Sequence, residues 1–233
     1  MDLAKTDALL ELFTTARDAR DDAWRARFYD AVMDAGMQTT ERQIIQGPDG
    51  FPYFVLERPE AGKPFSPVSL SDVLEHCTDQ GVGIVVDPTE HGPEWVFTYG
   101  DLFARRAYGS FEGDPVDRDG AREPPGPATE VLEKDTPVMV GAPNEEMLPS
   151  WARRVLASFL KQAAHVAEPR VLVLVDPARS RARNLVFNVH PEDFPSEDAF
   201  RRVMSALGWF MPPSRSYIAL SRTSSLADSF VAL

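Results

Sequence analysis

The chain has 233 residues, of which 43% are hydrophobic and 10% aromatic, enough for one large globular domain or two small ones. Its formal net charge of −12 argues against a general nucleic-acid binder, because affinity for phosphates comes mainly from clustered Lys and Arg. No apolar stretch approaches the roughly 20 residues that cross a bilayer, and the first residues lack the basic-then-apolar order of a secretion signal. We therefore expect a cytoplasmic protein with no membrane partner.

Charge is distributed unevenly along the chain. Residues 1–149 contain 29 acidic and 13 basic side chains, whereas residues 150–233 contain 7 acidic and 11 basic. This asymmetry predicts either that the two halves dock on each other or that they contact different partners. The single cysteine, Cys77, excludes an internal disulfide and a multi-cysteine zinc site, which fits a reducing compartment.

The first elements in chain order are two helices and a strand pair. Apolar residues at helical spacing predict helices in DALLELFTTARD and in DDAWRARFYDAVMDAG, the second stopped by Gly36. QIIQGPDGFPYFVLE is typical of two strands around a tight turn, and Pro52 places the second strand at an edge or is its first residue.

A capped helix and a hairpin follow. SLSDVLEHCTDQG predicts a helix with Ser69 and Asp72 as a capping box and with its end at Gly81. GIVVDP and EWVFTY predict a hairpin with a six-residue polar turn. GDLFARRAYG then predicts a short helix capped by Asp101 and stopped by Gly109.

Proline and acidic residues dominate the next stretch, and a second set of elements follows it. Ser150 is predicted to cap an amphipathic helix, VLVLVDP and NLVFNVH form a hairpin, SEDAFRRVMSALG forms a helix closed by Gly208, and SYIALS adds a strand. We predict an α+β fold of two related modules with helices packed on mostly antiparallel sheets. The acidic N-terminal module spans 1–111, the acidic proline-rich linker 112–149 and the slightly basic C-terminal module 150–233.

Val-Asp-Pro occurs twice, each time after an apolar run and before a second run that ends in Val-Phe. One interpretation is a structural turn at Asp87-Pro88 and Asp176-Pro177, because Asp accepts hydrogen bonds from turn amides and Pro cannot continue a central strand. The alternative interpretation makes Asp87 and Asp176 a carboxylate pair for acid–base chemistry or for a metal.

Other polar residues favour structural roles. His76 and Cys77 are neighbours on a helix and point about 100° apart, so we expect a buried thiol rather than a nucleophile with its base. His91 and His190 lie among acidic residues but lack metal-ligand spacing, and His165 suits the end of a helix. We predict no catalytic residue, metal or cofactor. GxxxxGK[ST], GxGxxG, GxSxG and HExxH do not occur, which lowers support for the enzyme classes they mark.

The most distinctive charged segment is PARSRARN, whose Arg179, Arg181 and Arg183 alternate. With Arg201 and Arg202 they predict a site for an anion or an acidic partner. The alternatives are a solvated hairpin tip and an internal contact with the acidic first half.

GWFMPPS places two aromatic side chains, Trp209 and Phe210, beside prolines. These aromatic residues belong to a core or an inter-domain contact if they are buried, and to a partner-binding surface if they are exposed.

WRARFYDAVMDAG, the following strand pair, helix and hairpin, and a second helix-and-hairpin module with RVLVLVDPARSRARNLVFNVH resemble the SseB-like proteins (enhanced serine sensitivity protein B). The resemblance covers most of the chain. It implies a bacterial, cytoplasmic protein of two α+β modules in tandem, and it assigns no catalytic residue.

We therefore predict a non-enzymatic accessory protein that recognises a protein partner through the arginine segment and the Trp209–Phe210 surface. One alternative is an enzyme on a small anionic metabolite, with arginines holding the substrate and Asp or His from the two Val-Asp-Pro hairpins as acid and base. Another alternative is an acidic immunity or antitoxin-like protein with a basic partner. The sequence does not indicate an oligomeric state.

Overall fold

The structure is a computed structural model that describes residues 2–60, 62–116, 138–175 and 183–233. It divides into two compact units, Met1–Thr98 (unit 1) and Tyr99–Leu233 (unit 2). Each unit combines helices with one mixed sheet in which antiparallel pairs predominate, so the predicted α+β class is confirmed. No helix among these residues is both long and apolar enough to span a membrane.

Unit 1 contains a four-stranded sheet in the order β1-β2-β3-β4. Strands β2 and β3 are parallel and the other neighbours are antiparallel. The elements are α1 (Leu3–Leu12), α2 (Asp22–Val32), β1 (Ile44–Gln46), β2 (Pro52–Leu56), α3 (Leu70–Gln80), β3 (Gly83–Thr89) and β4 (Gly92–Phe97).

Aromatic side chains join α2 to β4. The Phe28 ring lies 5.1 Å from Trp24 on its own helix and 5.0 Å from Trp95 on β4, measured between ring centroids. The indole nitrogen of Trp24 donates to the Leu12 carbonyl at 3.1 Å, so its buried polar atom is satisfied. This cluster anchors both N-terminal helices to the edge of the sheet.

Local sequence signals fix the ends of α3 and the start of β2. The Ser69 amide donates to the Asp72 carboxylate at 2.8 Å and the Ser69 hydroxyl accepts from the Asp72 amide, which is the predicted capping box. Gly81 ends α3 with a φ of 72°, a left-handed conformation that favours glycine. Pro52 is the first residue of β2, where a missing amide proton is tolerated. All three predictions are confirmed.

Unit 2 contains a second sheet, in the order β5-β6-β7-β8, with β9 paired to β6. Strands β7 and β8 are parallel, while β5, β7 and β9 are all antiparallel to β6. The elements are α4 (Tyr99–Tyr108), β5 (Met139–Gly141), α5 (Ser150–Ala163), β6 (Arg170–Val175), β7 (Asn184–Phe187), α6 (Glu197–Gly208), β8 (Tyr217–Ala219) and β9 (Val231–Ala232).

Two predicted helix caps in unit 2 are wrong. Helix α4 begins at Tyr99, so Asp101 lies within its first turn. The cause is a tertiary contact: the Gly100 amide donates to the Trp209 carbonyl at 3.0 Å, and a methyl group at Gly100 would overlap the Met211 carbonyl. Ser150 is the first residue of α5 instead of its cap, and its amide donates to the Glu145 carboxylate at 2.8 Å.

Both units share the order helix, hairpin, helix, parallel strand. In unit 1 this order is α2, the β1–β2 hairpin, α3 and β3, and in unit 2 it is α5, the β6–β7 hairpin, α6 and β8. The two units therefore share a ββαβ arrangement, which is the relation between the two halves that the structure shows. Unit 1 extends it with β4, and unit 2 extends it with β5 and β9 on the outer edge of β6.

The Val-Asp-Pro motif is not the element that repeats. Its first copy lies in the third strand of the unit 1 arrangement, whereas its second copy begins at Val175, the last residue of the first strand of the unit 2 arrangement. The predicted six-residue turn after the first copy is wrong. Strand pairing continues to Thr89 and Gly92, which leaves a turn of two residues.

Candidate functional site

Asp87 lies inside β3, and its carboxylate is turned toward Arg58, the second residue after β2. It is 6% exposed and adopts a φ of 47°, which is uncommon for a residue other than glycine. Its carboxylate accepts from the Arg58 amide at 3.2 Å and from Arg58 Nε at 2.6 Å. The hydrogen bond with Asp87 raises the pKa of Arg58. The carboxylate thus stabilises the path of the chain between β2 and β3.

Glu94 extends this network across the hairpin to the segment between α1 and α2. Its side chain is 12% exposed, forms an ion pair with Arg20 and lies 3.6 Å from Arg58. The Arg20 guanidinium lies 4.5 Å from the centre of the Trp24 ring. Two arginines face two carboxylates here, so the charges are compensated within unit 1 and the cluster is structural.

The remaining sequence candidates of unit 1 lie apart from this cluster. His91 is exposed at the hairpin turn, and Pro88 continues β3 opposite Pro93. Cys77 is buried, and burial raises the pKa of its thiol to about 12, so it stays protonated at neutral pH. Across the described ranges, no group of three or more His, Cys, Asp or Glu side chains could hold a metal ion.

The arginine segment is only partly described. Asp176, Pro177, Arg179 and Arg181 lie outside the described residues. Arg183 donates to the Asp114 carboxylate at 2.5 Å, and the buried Arg215 contacts the same carboxylate at 3.2 Å.

Two further arginine candidates lie on the surface of α6. Arg201 is exposed and paired with Glu197 at 2.5 Å, and Arg202 is also exposed. Of the three candidate arginines that are described, Arg183 is therefore held by a mostly buried carboxylate, whereas Arg201 and Arg202 face solvent.

Trp209 and Phe210 belong to the core of unit 2. They are 8% and 6% exposed. The Phe210 ring lies 4.6 Å from Phe159 on α5 and the Trp209 ring lies 6.3 Å from Tyr99 on α4, measured between ring centroids. Their burial therefore agrees with the alternative that these residues belong to a core. They do not form an exposed surface.

Unit 2 has an open groove of about 740 Å³ that sequence reasoning did not predict. It lies where the end of α5, the start of β6, the segment after β7 and the residues before β9 meet. Its walls combine polar and aromatic side chains: His165, Arg170, His190, Arg222, Phe194 and Phe230. Pockets of this volume are typical of ligand or peptide sites.

His165 enters the groove from a strained turn. Its φ of 53° is left-handed, and the next amide, that of Val166, donates back to the Leu160 carbonyl at 3.1 Å. Histidine adopts this conformation more readily than most residues, but it still costs about 1 kcal/mol relative to glycine. The turn ends α5 and exposes the imidazole at the rim.

His190 is oriented by the backbone. Its Nδ1 lies 2.9 Å from the Leu220 carbonyl oxygen. Because a carbonyl oxygen only accepts, Nδ1 carries the proton, which leaves Nε2 of the neutral ring as an acceptor. No residue in the described ranges hydrogen-bonds to that nitrogen, and the ring lines the groove.

The two groove arginines form exposed ion pairs. Arg170 contacts Glu168 at 2.8 Å and Arg222 contacts Asp193, with side-chain exposures of 48% and 64% for the arginines. Beside them, the Ser221 hydroxyl donates to Glu192 and lowers the pKa of that carboxyl. The groove is thus bordered by charges that solvent already reaches.

Sequence reasoning considered His165 and His190 singly and passed over Arg170 and Arg222. These four residues come from three separate segments, and the pairing of β6 with β7 and of β7 with β8 brings the segments together. No local spacing carries that information.

Comparisons of the chain with protein-family models, with curated proteins and with solved structures found no match.

Proposed function

We propose that this chain is a non-enzymatic accessory protein, bacterial and cytoplasmic like the SseB-like proteins it resembles, and that the unit 2 groove recognises a protein partner. The observation that carries the proposal is the composition of the groove. Its lining phenylalanines are half-buried, whereas its arginines and carboxylates are exposed, a distribution that resembles the apolar centre and polar rim of protein interfaces.

The scaffold of the groove supports binding because its walls are joined by backbone contacts. The Arg170 amide donates to the Asn188 side chain at 2.7 Å, and the Leu233 amide donates to the Pro169 carbonyl at 3.1 Å. Phe194 packs on Phe200 with ring centroids 5.7 Å apart. A preformed groove loses less conformational entropy when a partner binds.

The experiment that tests this proposal is site-specific photo-crosslinking in the native host. A photoreactive phenylalanine analogue replaces Ala227, an exposed residue that lines the groove, or Ser205, an exposed residue on α6 outside it. We expect a discrete protein adduct from position 227 and none from position 205. Identical adducts from both positions, or none from position 227, would contradict the proposal.

One observation favours a second candidate, an enzyme acting on a small anionic metabolite. A histidine whose Nδ1 is fixed by a carbonyl, as in His190, has the arrangement of a general base. Asp87, which the sequence suggested as an acid or base, is bonded to Arg58 instead. A thermal-shift screen of phosphorylated and carboxylated metabolites tests this candidate. A hit that is lost in His190→Gln and kept in His76→Gln would support it.

A further inference from the structure

We infer that the partner segment bound in the unit 2 groove presents a carboxylate, which Arg170 and Arg222 hold between them. This inference rests on the proposed function and names the chemistry of the partner. Three observations support it. The two arginines have N–H groups beyond those in their present ion pairs, those ion pairs are weak, and aromatic and hydrogen-bonding side chains line the groove.

The groove offers more donors than its own acceptors use. A guanidinium has five N–H groups. Arg170 uses one on Glu168, and Arg222 uses one on Asp193, within the part of the chain that the structure describes. The remaining N–H groups of both arginines are available to an incoming acceptor. A carboxylate is the group whose two oxygens match the guanidinium fork.

The ion pairs already present do not block this interaction. Glu168 is 78% exposed and Asp193 is 36% exposed, so solvent screens both pairs. Exposed pairs of this kind contribute little to stability. Glu168 and Asp193 can therefore yield to a better-placed carboxylate.

The two arginines of the groove are balanced by two lining carboxylates, and the basic excess lies in the C-terminal part of the chain as a whole. Residues 150–233 carry 11 basic and 7 acidic side chains, in contrast to the acidic first part of the chain. Glu192, the other carboxylate beside the groove, accepts from the Ser221 hydroxyl and from the Arg222 amide. Its charge is therefore partly compensated where a ligand would approach.

The lining favours a peptide carboxylate over free phosphate. Phe194 and Phe230 supply apolar surface that an inorganic anion cannot use. Nε2 of His190 is an acceptor in the neutral ring, so it fits a donor such as a backbone amide. A segment with an acidic side chain, an apolar neighbour and a backbone N–H uses all three features.

The test is fluorescence anisotropy with three rhodamine-labelled peptides. They are Gly-Glu-Phe-Glu-Leu-Glu-Gly (the Glu peptide) and its analogues with Gln or Lys in place of Glu (the Gln and Lys peptides). We expect the Glu peptide to bind about 10-fold more tightly than the Gln peptide, the size of one charge-assisted contact. Arg170→Ala and Arg222→Ala should each weaken it by a similar factor. Arg154→Ala, an exposed arginine on α5, is the matched control and should leave it unchanged.

The outcomes separate this inference from the proposed function. If the Glu and Gln peptides bind equally well and both lose binding in Phe230→Ala, the partner does not need a carboxylate. That result would overturn this inference but would leave the groove as a recognition site. If inorganic phosphate displaces the Glu peptide and Phe230→Ala does not change peptide affinity, the groove does not recognise a peptide. That result would overturn this inference and indicate a general anion site. Failure of the Glu peptide to bind would overturn the inference, and the crosslink from position 227 would still decide the proposed function.

Discussion

The Arg20–Glu94 pair of unit 1 and the arginine pairs of the unit 2 groove use the same chemistry in opposite surroundings. In unit 1 Arg20 and Glu94 are 9% and 12% exposed and join the hairpin to the segment before α2. In unit 2 the side chains of Arg170 and Arg222 are 48% and 64% exposed beside an open groove. Burial therefore decides which guanidinium is part of the architecture and which is available to a partner.

Backbone strain follows the same division. Asp87 and His165 are the residues other than glycine with left-handed φ in the described ranges. Asp87 is compensated by two hydrogen bonds from Arg58 inside unit 1. His165 lies at the rim of the groove with its side chain exposed, where a ligand could provide the compensation.

The largest effect should come from breaking the buried pair. Arg20→Ala leaves the Glu94 carboxylate uncompensated and removes the cation–π contact with Trp24, so we expect a loss of about 3–5 kcal/mol in the free energy of unfolding. Urea denaturation measures it. Arg25→Ala, which removes an exposed pair with Asp22, is the control and should change the value by less than about 1 kcal/mol. Similar losses of stability in both variants would contradict the claim that burial decides which arginine–carboxylate pair is structural.

A smaller loss is expected at Asp87. Asp87→Asn keeps the shape of the side chain and a residue that tolerates left-handed φ, but it removes the charged acceptor of Arg58. Because Arg58 is 45% exposed and can be solvated, the free energy of unfolding should fall by about 1–2 kcal/mol. A loss as large as that of Arg20→Ala would mean that Asp87 also stabilises contacts other than the one with Arg58.

A pH-dependent effect is expected at the α3 capping box. Hydrogen bonds from the backbone and side chain of Ser69 lower the pKa of Asp72. A carboxyl whose pKa is lower in the folded state stabilises the fold above its unfolded pKa, near 3.9, and loses that contribution as the pH falls through the folded value. Asp72→Asn should therefore lose about 0.5 kcal/mol at pH 7 and less than that at pH 2.5. Urea denaturation at both pH values measures this, and a constant difference would contradict it.

The smallest stability effect is expected at the groove. Arg222→Ala removes a side chain that is 64% exposed, so the free energy of unfolding should be almost unchanged. The same variant should lose peptide binding. A loss of stability comparable to that of Arg20→Ala would show that the groove arginine is structural, like its counterparts in unit 1.

Local features of the fold could be predicted, whereas features set by tertiary contacts could not. The capping box at Ser69, the left-handed Gly81 and the strand start at Pro52 depend only on neighbouring residues. The start of α4 depends on the close approach of Gly100 to Met211, more than a hundred residues away in sequence.

The same distinction applies to the sites. Asp87 was expected to end its strand, but Arg58 satisfies its carboxylate and β3 continues. Of the groove residues, His190 was noticed for its acidic neighbours, while Arg170 and Arg222 carried no local signal because they lie far apart in the sequence. Trp209 and Phe210 were equally compatible with a core and a surface until packing buried them.

The most direct test of the groove as an acidic-partner site is a charge swap. Arg170→Glu/Arg222→Glu replaces both guanidinium groups by carboxylates at positions where solvent already reaches the side chains. Binding of the Glu peptide and the Lys peptide is measured by anisotropy for the wild type and for the double variant. The account predicts that the preference inverts, with the Lys peptide binding the variant more tightly than the Glu peptide. A variant that keeps the wild-type preference for the Glu peptide would contradict it.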